Sequence, residues 1–178
     1  YTLKKHDLEV CWEVVNNDSE TMYFTIGGHP AFRVPVREGE SQSDYRLAFE
    51  GLDTLTYLLI DTSVGTVLAD EPHTLSLENG TCSIAPHMFD KDALVFDNGQ
   101  IQKAGILFPD GTPYLTLTSE GFPNFGIWSV PGAPFVCLEP WMGRCDDCGF
   151  EKPLSEKANI NVLKPDEEFI KSYQITVH

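Results

Sequence analysis

The sequence predicts an all-β fold, an antiparallel sandwich or barrel. Short apolar runs with a period of two recur at roughly one per ten residues. Glycine and proline punctuate them, and no stretch of ten residues keeps a helical apolar stripe clear of turn residues. The 178 residues fit one domain, 1–178, and can bury a core without disulfide or metal staples. No repeat, low-complexity tract or Ser/Gly-rich linker marks a second domain.

Taken in order, residues 8–15 set Leu8, Val10, Trp12 and Val14 against Glu9, Cys11, Glu13 and Val15, as a strand with one drier face would. Asn16-Asn17-Asp18-Ser19 is turn chemistry and 21–26 is again β-prone, so a hairpin is expected between the two runs. Further strands are expected at 45–50, 54–60, 74–77, 93–96, 102–108, 114–118, 125–128, 135–138 and 168–177. The only helix-like segment is a short turn at 86–90.

Twelve basic residues against twenty-seven acidic ones leave a formal charge of −15, which repels a nucleic-acid backbone or an anionic membrane. The longest apolar runs, 55–60 and 133–138, fall far short of the roughly 20 residues of a membrane span. Neither nucleic acid nor membrane is expected as a partner. Five cysteines, an odd number, with no signal-peptide pattern before them, fit a reducing cytoplasm. The chain opens on Tyr1-Thr2-Leu3, without Met, and enters a strand pattern almost at once. It is therefore expected to be a fragment whose edge near 8–15 is apolar and open, or covered by a partner chain or a missing N-terminal part.

Three segments offer chemistry. In Ile26-Gly27-Gly28-His29-Pro30 two glycines permit close backbone approach, and Pro30 holds His29 extended, so the imidazole is aimed. The same spacing also suits a turn histidine that satisfies a carbonyl. In Pro134-Phe135-Val136-Cys137-Leu138-Glu139-Pro140-Trp141 a strand apolar on both faces ends in a carboxylate, and burial would raise its pKa toward that of a base working near neutrality. The competing reading sends Glu139 to solvent or pairs it with Arg144. The third segment, Phe89 to Asp97, flanks an apolar strand with acids, which are usually solvated.

Cys145-Asp146-Asp147-Cys148 has the spacing of half a zinc site or a redox pair, but no second pair follows at zinc-site spacing. Cys11, Cys82 and Cys137 are scattered, and Cys137 reads as a small apolar residue inside a strand. No metal site is expected, and Cys145 and Cys148 are expected to be reduced on a loop. Phosphate-loop, dinucleotide and serine-elbow motifs are absent, and His6, His73, His87 and His178 stand alone.

Together, Phe24-Thr25-Ile26-Gly27-Gly28-His29-Pro30-Ala31-Phe32, Phe89-x-x-Asp92-Ala93-Leu94, Phe125-Gly126-Ile127-Trp128-Ser129 and Val136-Cys137-Leu138-Glu139-Pro140-Trp141-x-Gly143 resemble the aldose 1-epimerase (galactose mutarotase) family. The match is closest to its bacterial LacX-like branch, and Leu154-x-x-Lys157, Leu163-x-Pro165 and Glu168-Phe169 to Val177 extend it along the chain. The resemblance implies an antiparallel β-sandwich, of which this chain would be the C-terminal portion, with a sugar cleft on its concave face. It implies His29 as general acid, Glu139 as general base, Asp92 as a holder of sugar hydroxyls and Trp128 as an aromatic wall, which could equally be core packing.

The implied reaction interconverts the α and β anomers of a hexose by acid-base ring opening and closure and needs no cofactor. Family members run longer, and the N-terminal part missing here supplies an Arg and often a second His, so the cleft is expected to lack an Arg on one wall. Arg33, Arg37 and Arg144 are the cations available for a hexose-6-phosphate, and a neutral hexose is the expected partner. A non-catalytic carbohydrate-binding or regulatory module with the same fold is the alternative.

Overall fold

The computed structural model describes residues 1–178. Its regular secondary structure is nearly all strand, with 3-10 turns only at Gln42–Asp44 and Leu154–Glu156. The expected turn is present, over 86–91. No helix is long and apolar enough to cross a membrane.

Two antiparallel sheets make the body. The larger holds, in spatial order, Thr2–Lys4, Asp7–Val15, Glu168–Val177, Pro113–Thr118, Lys103–Leu107, Arg46–Ala48 and Thr81–Ser83. The smaller runs Leu94–Phe96, Asn124–Trp128, Phe135–Met142, and the outer side of Phe135–Met142 pairs with two short strands, Ile26–Gly27 and Ala31–Arg33. Three two-stranded ribbons complete the fold: Thr54–Tyr57 with His73–Ser76, Ile60–Asp61 with Thr66–Val67, and Met22–Phe24 with Asn161–Leu163.

Period-two alternation builds the core. Phe125, Ile127, Val136, Leu138, Leu94 and Phe96 leave the smaller sheet on one face. They meet Val10, Leu47, Ile106, Leu115, Leu117 and Ile175 from the larger, forming one continuous apolar cluster. Burying each of these large side chains is worth about 1.5–3 kcal/mol, so this interface is the main stabilising term of the fold. The opposite face of the smaller sheet turns to a minor cluster of Leu58, Val67, Ala93 and Val95, against which Trp128 and Trp141 pack.

Most expected strands are present with shifted ends, but one pairing expectation needs correction. No hairpin joins Asp7–Val15 to the run after the Asn16 turn. Asp7–Val15 pairs instead with Glu168–Val177 along its whole length, from Val15 opposite Glu168 to Asp7 opposite Thr176. Met22–Phe24 pairs with Asn161–Leu163. Asn16 shows why: its buried amide donates to the carbonyls of Glu20 and Leu163 at 2.8 and 2.9 Å, fastening the turn to the distant strand. On its outer side Asp7–Val15 is covered by the exposed strand Thr2–Lys4 only at Asp7 to Glu9, so residues 10–15 keep a free edge there. Strands of two or three residues, such as Ala31–Arg33 and Thr66–Val67, are too short to show a period.

Candidate active site

The site arises from register. Along the outer side of Phe135–Met142, Gly27 lies opposite Trp141 and Ala31 opposite Cys137, so His29 falls opposite Glu139 midway between them. Side chains directly opposite on an antiparallel pair share one face and lie about 5 Å apart at Cβ. Pro30 offers no N–H to the ladder, yet the chain stays in line because Gly28 N–H donates to Pro140 O at 2.9 Å and Leu138 N–H donates to Pro30 O at 3.3 Å. The result is His29 Nδ1 at 3.4 Å from Glu139 Oε1.

The two side chains differ sharply in exposure: His29 is 59% accessible and Glu139 only 4%. Burial pushes the Glu139 carboxyl up to about 7; the nearby Trp141 indole N–H opposes that shift, and the charge of Asp92 adds to it. A carboxyl raised this far gives up and retakes its proton near neutrality, and its neighbour presents an imidazole to solvent. Such a pair can exchange protons with a bound molecule at two points.

Two glycines make room for the indole that steadies Glu139. A Cβ at Gly27 or at Gly126 would run into the Trp141 ring, so neither position admits a side chain beneath it. On the core side, a Cβ at Gly28 would come within 2.8 Å of Tyr173 Oη, so Gly28 lets the larger sheet press directly against the His29 segment. The Gly-Gly pair thus serves close packing on both faces, and neither glycine has positive φ.

Asp92 sits just before Leu94–Phe96 with φ 72°, a left-handed conformation that Asp tolerates better than most residues. Its Oδ1 accepts from Ala93 N–H at 2.6 Å, and it is half-buried. Trp128 meets the His29 ring edge-on at 5.6 Å between centroids and tilts against Phe135 at 5.8 Å. It therefore both walls the imidazole and packs on the minor cluster. The four sequence candidates His29, Glu139, Asp92 and Trp128 all gather on this side of the smaller sheet.

Glu139 does not pair with Arg144. That guanidinium is buried and committed to Asp97, through bonds of 2.7–3.1 Å, and to Asp147 at 2.8 Å. Arg37 is held by Glu40 and Asp110 and lies over the Phe108 ring. Arg33 makes no ion pair and occupies the same strand face as His29, opposite Phe135.

Two residues were not singled out as site members from the sequence. Trp141 stands two positions beyond Glu139, and strand alternation alone would have put it on the Glu139 face. Cys137 stands two positions before, and its sulfur lies within 4.8 Å of the His29 and Glu139 ligand atoms. Burial, with the charge of Glu139 adding, pushes its thiol up to about 12. Cys145 and Cys148 follow the Glu139 strand on an irregular segment, and all five cysteines are free thiols.

No family model matches the chain. It is 29% identical over 180 residues to the plasmid and to the chromosomal LacX proteins of Lactococcus lactis subsp. lactis, a match that takes in 99% of this chain. The chain spans 60% of the length of these curated relatives. Among solved structures, the galactose mutarotase related enzyme of Lactobacillus acidophilus superposes with a TM-score of 0.89 at 28% identity, over 100% of this chain and 59% of that one. A galactose mutarotase-like protein of Lactobacillus casei gives 0.83 at 26% identity, over 100% and 61%. In sequence and in fold, this chain resembles the galactose mutarotase-like family, with the LacX proteins as its curated relatives.

Proposed function

We propose that this chain carries the acid-base centre of an aldose 1-epimerase, an isomerase that interconverts the anomers of a neutral hexose. One observation carries the reading: a buried carboxyl, pushed up to about 7 by burial, lies 3.4 Å from an accessible imidazole on the segment between two short strands that pair with its own. Glu139 takes the proton of the anomeric hydroxyl while His29 protonates the ring oxygen, and the bond between that oxygen and C1 breaks to leave the open-chain aldehyde. After rotation about C1–C2 the two groups reverse roles, and the ring closes as the other anomer. Every proton lent is returned, so the reaction consumes nothing. Asp92 accepts hydrogen bonds from sugar hydroxyls, and Trp128 offers its face to the ring.

A neutral sugar suits the site better than a hexose-6-phosphate. Arg144 and Arg37 are bound to carboxylates, which leaves Arg33 alone to meet a phosphate that usually takes several donors. We read residues 1–178 as one sandwich domain of a cytoplasmic protein. The further polypeptide that its relatives possess, or a partner chain, would complete the wall that leaves His29 so exposed.

Polarimetry of freshly dissolved α-glucose and α-galactose tests the proposal, with this chain and with a longer parent protein. Acceleration over solvent that vanishes in His29→Asn supports the enzyme. Sugar binding without acceleration in either protein would favour a non-catalytic carbohydrate module with the same fold.

A further inference from the structure

We propose that His29, Cys137 and Glu139 together form a binding site for a thiophilic divalent cation of the Zn²⁺ type. Register places all three on one face: Cys137 and Glu139 are two apart on their strand, and His29 is opposite Glu139. One ligand atom from each, an imidazole nitrogen, Sγ and a carboxylate oxygen, falls within 4.8 Å of the others.

One of the spacings matches the edge of a coordination shell. His29 Nδ1 and Glu139 Oε1 are 3.4 Å apart, long for a charge-assisted hydrogen bond. The edge of a tetrahedron with metal–ligand bonds of about 2.1 Å is about 3.4 Å. Nitrogen, sulfur and oxygen donors in this ratio exclude Mg²⁺ and Ca²⁺, which take oxygen, and suit Zn²⁺, Co²⁺ or Cd²⁺. Thiolate binding releases the thiol proton, so the site favours a cation with strong affinity for sulfur. Three protein ligands leave a fourth position for water or another small ligand. The Cys145-x-x-Cys148 pair takes no part.

One consequence rests on the epimerase reading: a cation here occupies the acid and the base at once and excludes the sugar. The site itself does not depend on that reading, so it is tested without sugar. Reduced, chelator-treated protein is titrated with Co²⁺. We expect a thiolate-to-cobalt charge-transfer band with four-coordinate visible bands, saturating at one equivalent and displaced by Zn²⁺. The band should be lost in Cys137→Ala and in His29→Asn, the latter a surface change that spares the core. It should persist in the double variant Cys145→Ser/Cys148→Ser. Absence of a saturable band in the parent protein overturns the site, as does a band that survives Cys137→Ala or disappears in the double variant.

Discussion

The two faces of the strand Phe135–Met142 are both buried, yet they serve opposite ends. Val136 and Leu138 enter the apolar core between the sheets, fully enclosed, and add to stability. Cys137 and Glu139, alternating with them and equally hidden, carry ionisable groups whose charged forms burial disfavours. Burial on one face lowers free energy in proportion to apolar area; on the other it costs stability and tunes proton affinity. A strand placed between a core and a cleft is therefore half scaffold and half reagent.

Mutations on the two faces should separate these contributions. The largest expected effect is on turnover: Glu139→Gln and His29→Asn should each lower mutarotation by about 10² to 10⁴, as read by polarimetry on the active protein. Next comes Leu138→Ala, which removes a buried side chain from the core face and should cost about 2–5 kcal/mol in urea unfolding. Equal stability losses at Leu138 and Glu139 would erase the distinction between the faces.

Glu139→Gln should instead stabilise the fold in alkali. The native carboxyl has its pKa raised from 4.5 to about 7, so folding favours its neutral form. That contribution is complete below pH 4.5 and is lost as the pH rises through 7, a change of about 3 kcal/mol. The variant should thus gain on the wild type between pH 4 and pH 9, and denaturation midpoints at the two values would show it. The same titration predicts an acidic limb of the pH–rate profile near pH 7, since the base acts as carboxylate. The smallest effect belongs to Trp141→Phe, which removes the indole donor that lowers the Glu139 pKa. The limb should move to higher pH by less than about one unit. A move to lower pH would contradict the role assigned to the indole.

Much of this contrast was legible in the sequence, because alternation in 125–128 and 135–138 and the turn residues around them report local structure. His29 and Glu139 stood out for local reasons too, one locked between glycine and proline, the other at the end of an apolar run. Pairing was not legible. The sequence near Asn16 predicts a hairpin, but Asp7–Val15 finds its partner in Glu168–Val177 at the far end of the chain, and nothing local encodes that choice. Trp141 was missed because its function depends on glycines in two other strands, which become its neighbours only once the sheet has formed. Cys137 read as a small apolar residue for the same reason: its chemical company comes from across the sheet.

The Gly27-to-Ala31 crossing has an implication for how such a centre can change. The distance from acid to base is set by a backbone ladder, so it comes in whole-residue steps. Deleting one residue between Gly27 and Ala31 would not move His29 by a fraction of an ångström. It would turn the imidazole toward Tyr173 and the core, and bring Gly28 or Pro30 to the outer face. The chemistry of this sheet is digital: gradual adjustment is left to side-chain rotamers and to whatever covers the open side, while the strand register permits only presence or absence.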